Sequence, residues 1–140
     1  MDSRRFELKI PAETDRLPQL LDFLEQHLEE ADCSPKVLMQ LSVAAEEVFV
    51  NIAHYAYAPG TGDTALCLEL RRKPPAAVLT FRDSGVPFDP LARPDPDVTL
   101  SAEDRDIGGL GIYMTKKIMD AVHYEYRDGQ NVLRLEKSLA

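Results

Sequence analysis

The stretch Leu41–Tyr57, reading LSVAAEEVFVNIAHYAY, constrains this chain more than any other. At about 100° per residue on a helix, Glu47, Asn51 and His54 fall on one narrow stripe. Leu41, Ala45, Val48 and Ile52 flank it on one side, and Met39, Val43 and Val50 on the other. A carboxylate and an amide between two apolar surfaces need a hydrogen-bond partner or a ligand, because an unpaired buried amide costs about 1–3 kcal/mol. The stripe therefore predicts a polar partner elsewhere in the chain.

The remaining pattern supplies a frame for that helix. Phe6, Leu8 and Ile10 alternate as a strand ended by Pro11, and Thr14 or Asp15 is placed to cap a helix carrying Leu17, Leu20, Leu21, Leu24 and Leu28 on one face. Ser34-Pro35 launches the long helix, which the sequence carries to about Ala58, before Pro59-Gly60-Thr61-Gly62. Leu66, Leu68 and Leu70 mark a strand broken by Lys73-Pro74-Pro75, and Val78–Arg82 a second one running into Asp83-Ser84-Gly85. Residues 89–107 lose all periodicity and are rich in proline and acid, which predicts a lid. Gly108-Gly109-Leu110-Gly111 opens a further helix, and strands at Val122–Tyr126 and Val132–Leu135 close the chain around Asp128-Gly129. The order β-α-α-β-β-lid-α-β-β predicts an α+β fold, one domain over residues 1–140, with helices on one face of a mixed, mostly antiparallel sheet.

Charge and composition narrow the function. The 140 residues carry a net charge of −8, which lacks the basic footprint that nucleic acid requires. No apolar run is long enough to span a bilayer and MDSRRFELKI has no signal-peptide core, so a cytoplasmic protein is expected. Cys33 and Cys67 have no metal-ligand or redox spacing and are read as free thiols.

Three polar clusters remain, and each is ambiguous alone. The glycines at 108, 109 and 111 let backbone N–H groups approach a phosphate at a helix N-terminus, but they also suit a simple tight turn. They form neither a Walker A loop nor G-x-G-x-x-G after a strand. Asp83 could accept from an exocyclic amine such as that of adenine, or merely shape a turn. Glu47 and Asn51, at i and i+4, could form a hydrogen-bonded pair, or a Mg²⁺ site completed by waters and substrate phosphates. His54 could be a satisfied interior histidine or a donor to phosphate.

In combination and order, E-x-x-x-N on a helix, D-x-G-x-P-F-D after a strand, a lid, then G-G-L-G-I before a helix resembles the GHKL ATP-binding superfamily. Along essentially the whole chain the sequence is similar to its small single-domain branch, the anti-sigma factor serine/threonine kinases. Pro87 stands where sensor histidine kinases usually show glycine, and no phosphoacceptor helix precedes the motifs. The resemblance implies a two-layer Bergerat-type sandwich that binds ATP and Mg²⁺. It implies Glu47 as general base toward a protein serine, Asn51 as the Mg²⁺ ligand, and His54 near the phosphates. Asp83 would meet the adenine amine, Gly85 would let the base approach, and Arg105 on the lid would reach the γ-phosphate. Gly108, Gly109, Leu110, Gly111 and Ile112 would cradle phosphate.

The implied partners are an anti-sigma factor antagonist of the STAS type and a sigma factor, with the chain itself a homodimer. Where many members carry threonines supporting the adenine site, this chain has Gly129-Gln130-Asn131, so Asn131 would be a substitute polar contact. The alternative is a non-catalytic ATP-binding module whose nucleotide state selects partners. A dedicated hydrolase is disfavoured, since the domain that couples GHKL ATPases to mechanical work is missing from the pattern.

Overall fold

A computed structural model describes residues 3–57, 60–92 and 109–140. The elements run β1 (Ser3–Pro11), a 3₁₀ turn (Thr14–Arg16), α1 (Leu17–Glu30), α2 (Pro35–Asn51), a π-helical turn (Ile52–Ala56), β2 (Asp63–Arg72) and β3 (Pro75–Asp83). A second 3₁₀ turn (Pro90–Ala92), α3 (Gly109–Ile118), β4 (Ala121–Arg127) and β5 (Gln130–Ser138) follow. The strands form one five-stranded sheet in the order β1-β2-β3-β5-β4. Every pairing is antiparallel, so the sheet is simpler than the mixed one expected.

This order sets two strands distant in sequence, β3 and β5, side by side at the centre, with Asp83 directly opposite Asn131. The register depends on the β4–β5 turn. Asp128 and Gly129 both have positive φ, 53° and 77°, as a two-residue hairpin turn with the twist of the flanking strands requires. A slip of one residue there would turn Asn131 to the opposite face.

Alternation along the strands gives the sheet one apolar face, with Leu66, Leu68, Leu79, Phe81 and Leu135 fully buried. Leu20, Leu24 and Leu28 of α1 and Leu41, Ala44, Ala45, Val48 and Phe49 of α2 complete this core. The other face is polar, crossed by ion pairs Arg5–Glu69, Glu69–Arg71, Arg71–Glu136 and Glu136–Arg134. No helix among the described residues is long and apolar enough to cross a membrane.

Three local expectations differ. Ser34 caps α2 as predicted, its Oγ accepting from Val37 N at 3.2 Å. Thr14 and Asp15, however, belong to the 3₁₀ turn, and α1 starts without a side-chain cap. The long helix does not stay regular to Ala58: α2 stops at Asn51 and widens into the π turn. Met39 and Val43 are 62% and 41% exposed. The polar stripe thus runs between a buried flank and solvent, not between two apolar surfaces.

Candidate functional site

The buried flank of α2, the sheet and α3 line a pocket that opens to solvent. Val48, Ile52 and Ala56 wall it from the helix side, Phe81 and Leu133 from the sheet, and Ile112 from α3. Into this apolar box project Asn51, Asp83 and Asn131, with the rings of Tyr55, Phe88 and Tyr124 around them. An apolar pocket with a few convergent polar groups is the usual make-up of a ligand site.

Asp83 ends β3 on the core side of the sheet and is 5% exposed. Its Oδ1 accepts from Asn131 Nδ2 at 2.9 Å and from Gly85 N at 3.0 Å. Burying a carboxylate is costly unless donors meet it, and these two do.

The loop after Asp83 is docked onto the end of the long helix. Val86 N donates to Ala56 O at 2.9 Å, and Ser84 N to Tyr57 Oη at 2.8 Å. Tyr57 Oη in turn donates to Asp63 O at 2.6 Å. Burial raises the Tyr57 pKa, the Ser84 N–H works against that, and Asp83 and Asp63 add to it. Gly85 is required here by protein packing: a Cβ would lie 2.2 Å from Ala56 O.

The π turn decides what the helix presents beyond Asn51. One extra residue in the turn breaks the 100° phase, and such turns are frequent at functional sites. His54 is exposed and is absent from the cavity lining. Tyr55 lines the cavity instead, stacked on Phe88 at 5.9 Å between centroids and 26° between planes.

Glu47 lies one turn before Asn51, half-buried and outside the lining. Burial, and then the charge of the exposed Glu46, push its carboxyl above the ordinary carboxylate range. Gly109, Leu110 and Gly111 form the first turn of α3, and Ile112 reaches the cavity. Arg105, Gly108 and residues 93–107 of the expected lid lie outside the described residues. At the start of that segment Asp89 Oδ1 accepts from Leu91 N at 2.8 Å, and Pro90 touches the cavity.

The motifs singled out Asn51, Asp83, Gly85 and Ile112, which the fold brings together. They missed the aromatic residues Tyr55, Phe81 and Tyr124, gave no site role to Phe88 although it is the F of D-x-G-x-P-F-D, and missed Tyr57 as a brace. The inward alternation of β3 could have flagged Phe81 beside Asp83. Nothing local marks Tyr124, which needs the β5 register to reach Asn131.

Comparison with known proteins fits this geometry. The chain is 29% identical over 135 residues to the serine/threonine-protein kinase BtrW of Bordetella bronchiseptica, covering 96% of this chain and 94% of that protein. Its fold is similar to the structure of the RsbU and RsbW domains of a Mycobacterium tuberculosis protein, with a TM-score of 0.69 and 13% identity. That alignment takes in 97% of this chain, which spans only 32% of the larger one. Residues 10–137, from the end of β1 to the end of β5, match the histidine kinase-like ATPase domain, and the chain belongs to that family.

Proposed function

We propose that the chain is an ATP-dependent protein serine/threonine kinase of the anti-sigma factor type, acting in a sigma factor partner switch. Membership of an ATPase-domain family makes ATP the nucleotide. The observation that carries the reading is Asp83, a buried carboxylate held by Asn131 and Gly85 in an apolar cavity on the same side of the sheet as α2. A carboxylate oxygen there accepts from the adenine amine, while Phe81, Leu133 and Ile112 cover the ring.

Asn51 lines the same cavity and follows Glu47 by one turn, which supports a reading with adenine at Asp83 and the phosphates along α2. Its amide oxygen is a hard ligand fit for Mg²⁺, which takes few protein ligands and several waters. Held by Asn51, the ion would supply charge neutralisation for the phosphates. Glu47 takes the proton of a substrate serine hydroxyl. The serine Oγ then bonds to the γ-phosphorus, and the bond from that phosphorus to the β,γ-bridging oxygen breaks, releasing ADP. Little else is asked of the protein, since phosphoryl transfer rests on positioning and charge stabilisation. The raised pKa of Glu47 strengthens it as a base.

The substrate protein in this reading is a STAS-type antagonist, which occupies the chain while unphosphorylated, and its phosphorylation leaves the chain free to hold a sigma factor. A cytoplasmic homodimer, with Arg105 and the glycines at 108, 109 and 111 on the phosphates, belongs to the same reading. His54, exposed within the π turn, contributes only at the outer phosphates in this reading. The BtrW likeness supports transfer over a binding module. Favouring the module instead, Glu47 stands outside the cavity lining.

The test is transfer of radiolabelled γ-phosphate from Mg-ATP to a STAS partner from the same genome. Wild type should label a serine, and Glu47→Ala should bind ATP yet transfer at least about a hundredfold more slowly, the usual scale for a lost general base. ATP binding with no label on any such partner would leave the module reading.

A further inference from the structure

Asn131 has a role that differs from a nucleotide contact. It is 6% exposed on β5, directly across from Asp83. Its Nδ2 donates to Asp83 Oδ1 at 2.9 Å and to Val86 O at 2.9 Å. Its Oδ1 accepts from Phe88 N at 3.0 Å and from the Tyr124 hydroxyl. A primary amide has two N–H donors and two acceptor lone pairs, so all four are occupied by protein. The amide orientation is fixed by the same partners. Reversed, its oxygen would face a carboxylate and a carbonyl, and its NH₂ would face a backbone N–H.

Each of the four bonds reaches a different piece of the site: the Asp83 carboxylate, the loop at Val86, the backbone at Phe88, and β4 at Tyr124. Phe88 immediately precedes the 89–107 segment and carries the ring stacked on Tyr55. The node therefore ties the orientation of the Asp83 carboxylate to the position of the loop that leads into that segment.

We infer that Asn131 is a positioning residue for purine selection: it fixes the Asp83 carboxylate and the 83–88 loop so that a 6-amino purine is accepted and a 6-oxo purine rejected. The inference rests on the adenine reading of the cavity. Asn131 acts through Asp83 and spends no hydrogen bond on the ligand. Without it Asp83 Oδ1 keeps only the Gly85 N–H, and the carboxylate is free to rotate toward either purine.

ATP and inosine triphosphate probe this, because they differ in the group at C6 and in the proton at N1. Their dissociation constants are measured by titration on wild type, Asn131→Ala, Asn131→Asp and Tyr124→Phe. Wild type should prefer ATP by about tenfold or more, the scale of one well-made hydrogen bond. Asn131→Ala should bring the ratio to within about twofold of unity. Asn131→Asp, which sets a second carboxylate against Asp83, should lower ATP affinity further still. Tyr124→Phe removes one bond from the node and leaves Asn131 in place, so its ratio should fall between the two.

A purely structural role would weaken both nucleotides by the same factor. An unchanged ratio in Asn131→Ala overturns the inference, and should that variant fail to fold, an unchanged ratio in Tyr124→Phe does so. A wild type with no preference for ATP overturns the adenine reading itself, a separate result.

Discussion

Glu47 carries the chemistry of the proposal, and its surroundings make two consequences measurable. Its carboxyl is raised above the ordinary value of 4.5, first by burial and then by Glu46. The folded state thus binds a proton on Glu47 more tightly than the unfolded chain does. This group's contribution to stability is fully present below about 4.5 and is lost as pH rises through the raised value. Glu47→Gln lacks that loss. It should therefore be more stable than wild type at neutral pH, by less than about 1 kcal/mol because the group is partly solvated. The gain should close as pH falls toward 4.5, and urea melts at two pH values check it. A gain of equal size at both would assign the effect to packing. For transfer the sign reverses: the base works ionised, so the rate should fall as pH drops through the raised pKa.

Asp83, Asn51 and Glu47 were legible as candidates in the sequence because their types and spacing are unusual between apolar positions. Asn131 was legible only as a polar residue in the right strand. What it bonds depends on β5 lying beside β3, and no local pattern states strand order. His54 was misplaced on the stripe, since a 100° phase extended through Ile52–Ala56 assumes a regular helix where a π turn occurs.

At the scale of elements, the π turn and the loop after β3 work as a pair. Ala56 O accepts Val86 N, and the Gly85 Cα lies so close that a Cβ would stand 2.2 Å from that carbonyl oxygen. Gly85→Ala must push the two backbones apart, a cost of about 1–3 kcal/mol by the usual scale of overpacking. Because the loop holds Asp83, ATP affinity should fall with it, and thermal melts beside nucleotide titration measure both. Tyr57→Phe separates the parts. The ring remains, but Ser84 N loses its acceptor and Asp63 O its donor. Both freed groups are exposed and can turn to water, so the cost should stay near the net worth of the lost bonds, about 0.5–1.5 kcal/mol, with the ring packing intact. The sequence signalled this turn through Pro59-Gly60-Thr61-Gly62, yet gave no hint that a tyrosine hydroxyl would join the two loops.

Across the whole molecule, the fold is a two-layer device for placing one helix stripe against one row of a sheet. Ile10, Thr64, Asp83, Asn131 and Tyr126 stand in register across all five strands, and α2 crosses the same face. Alternation and helix periodicity made the layers legible, because burying apolar faces leaves few other arrangements. The core that fixes α2 over the sheet includes Phe49, fully buried on the same helix as Glu47 and Asn51. Phe49→Ala should destabilise by about 3–5 kcal/mol, and a denaturant midpoint measures it. The cavity proposed for nucleotide is a by-product of the same layering, opened where Asp83 and Asn131 replace apolar residues at the end of two inner strands. The most direct measurement is calorimetric titration of Mg-ATP into wild type and Asp83→Ala. The account predicts saturable binding to wild type and a loss of at least about tenfold, roughly 1.4 kcal/mol, in the variant. Equal affinity of the two proteins for ATP would contradict it.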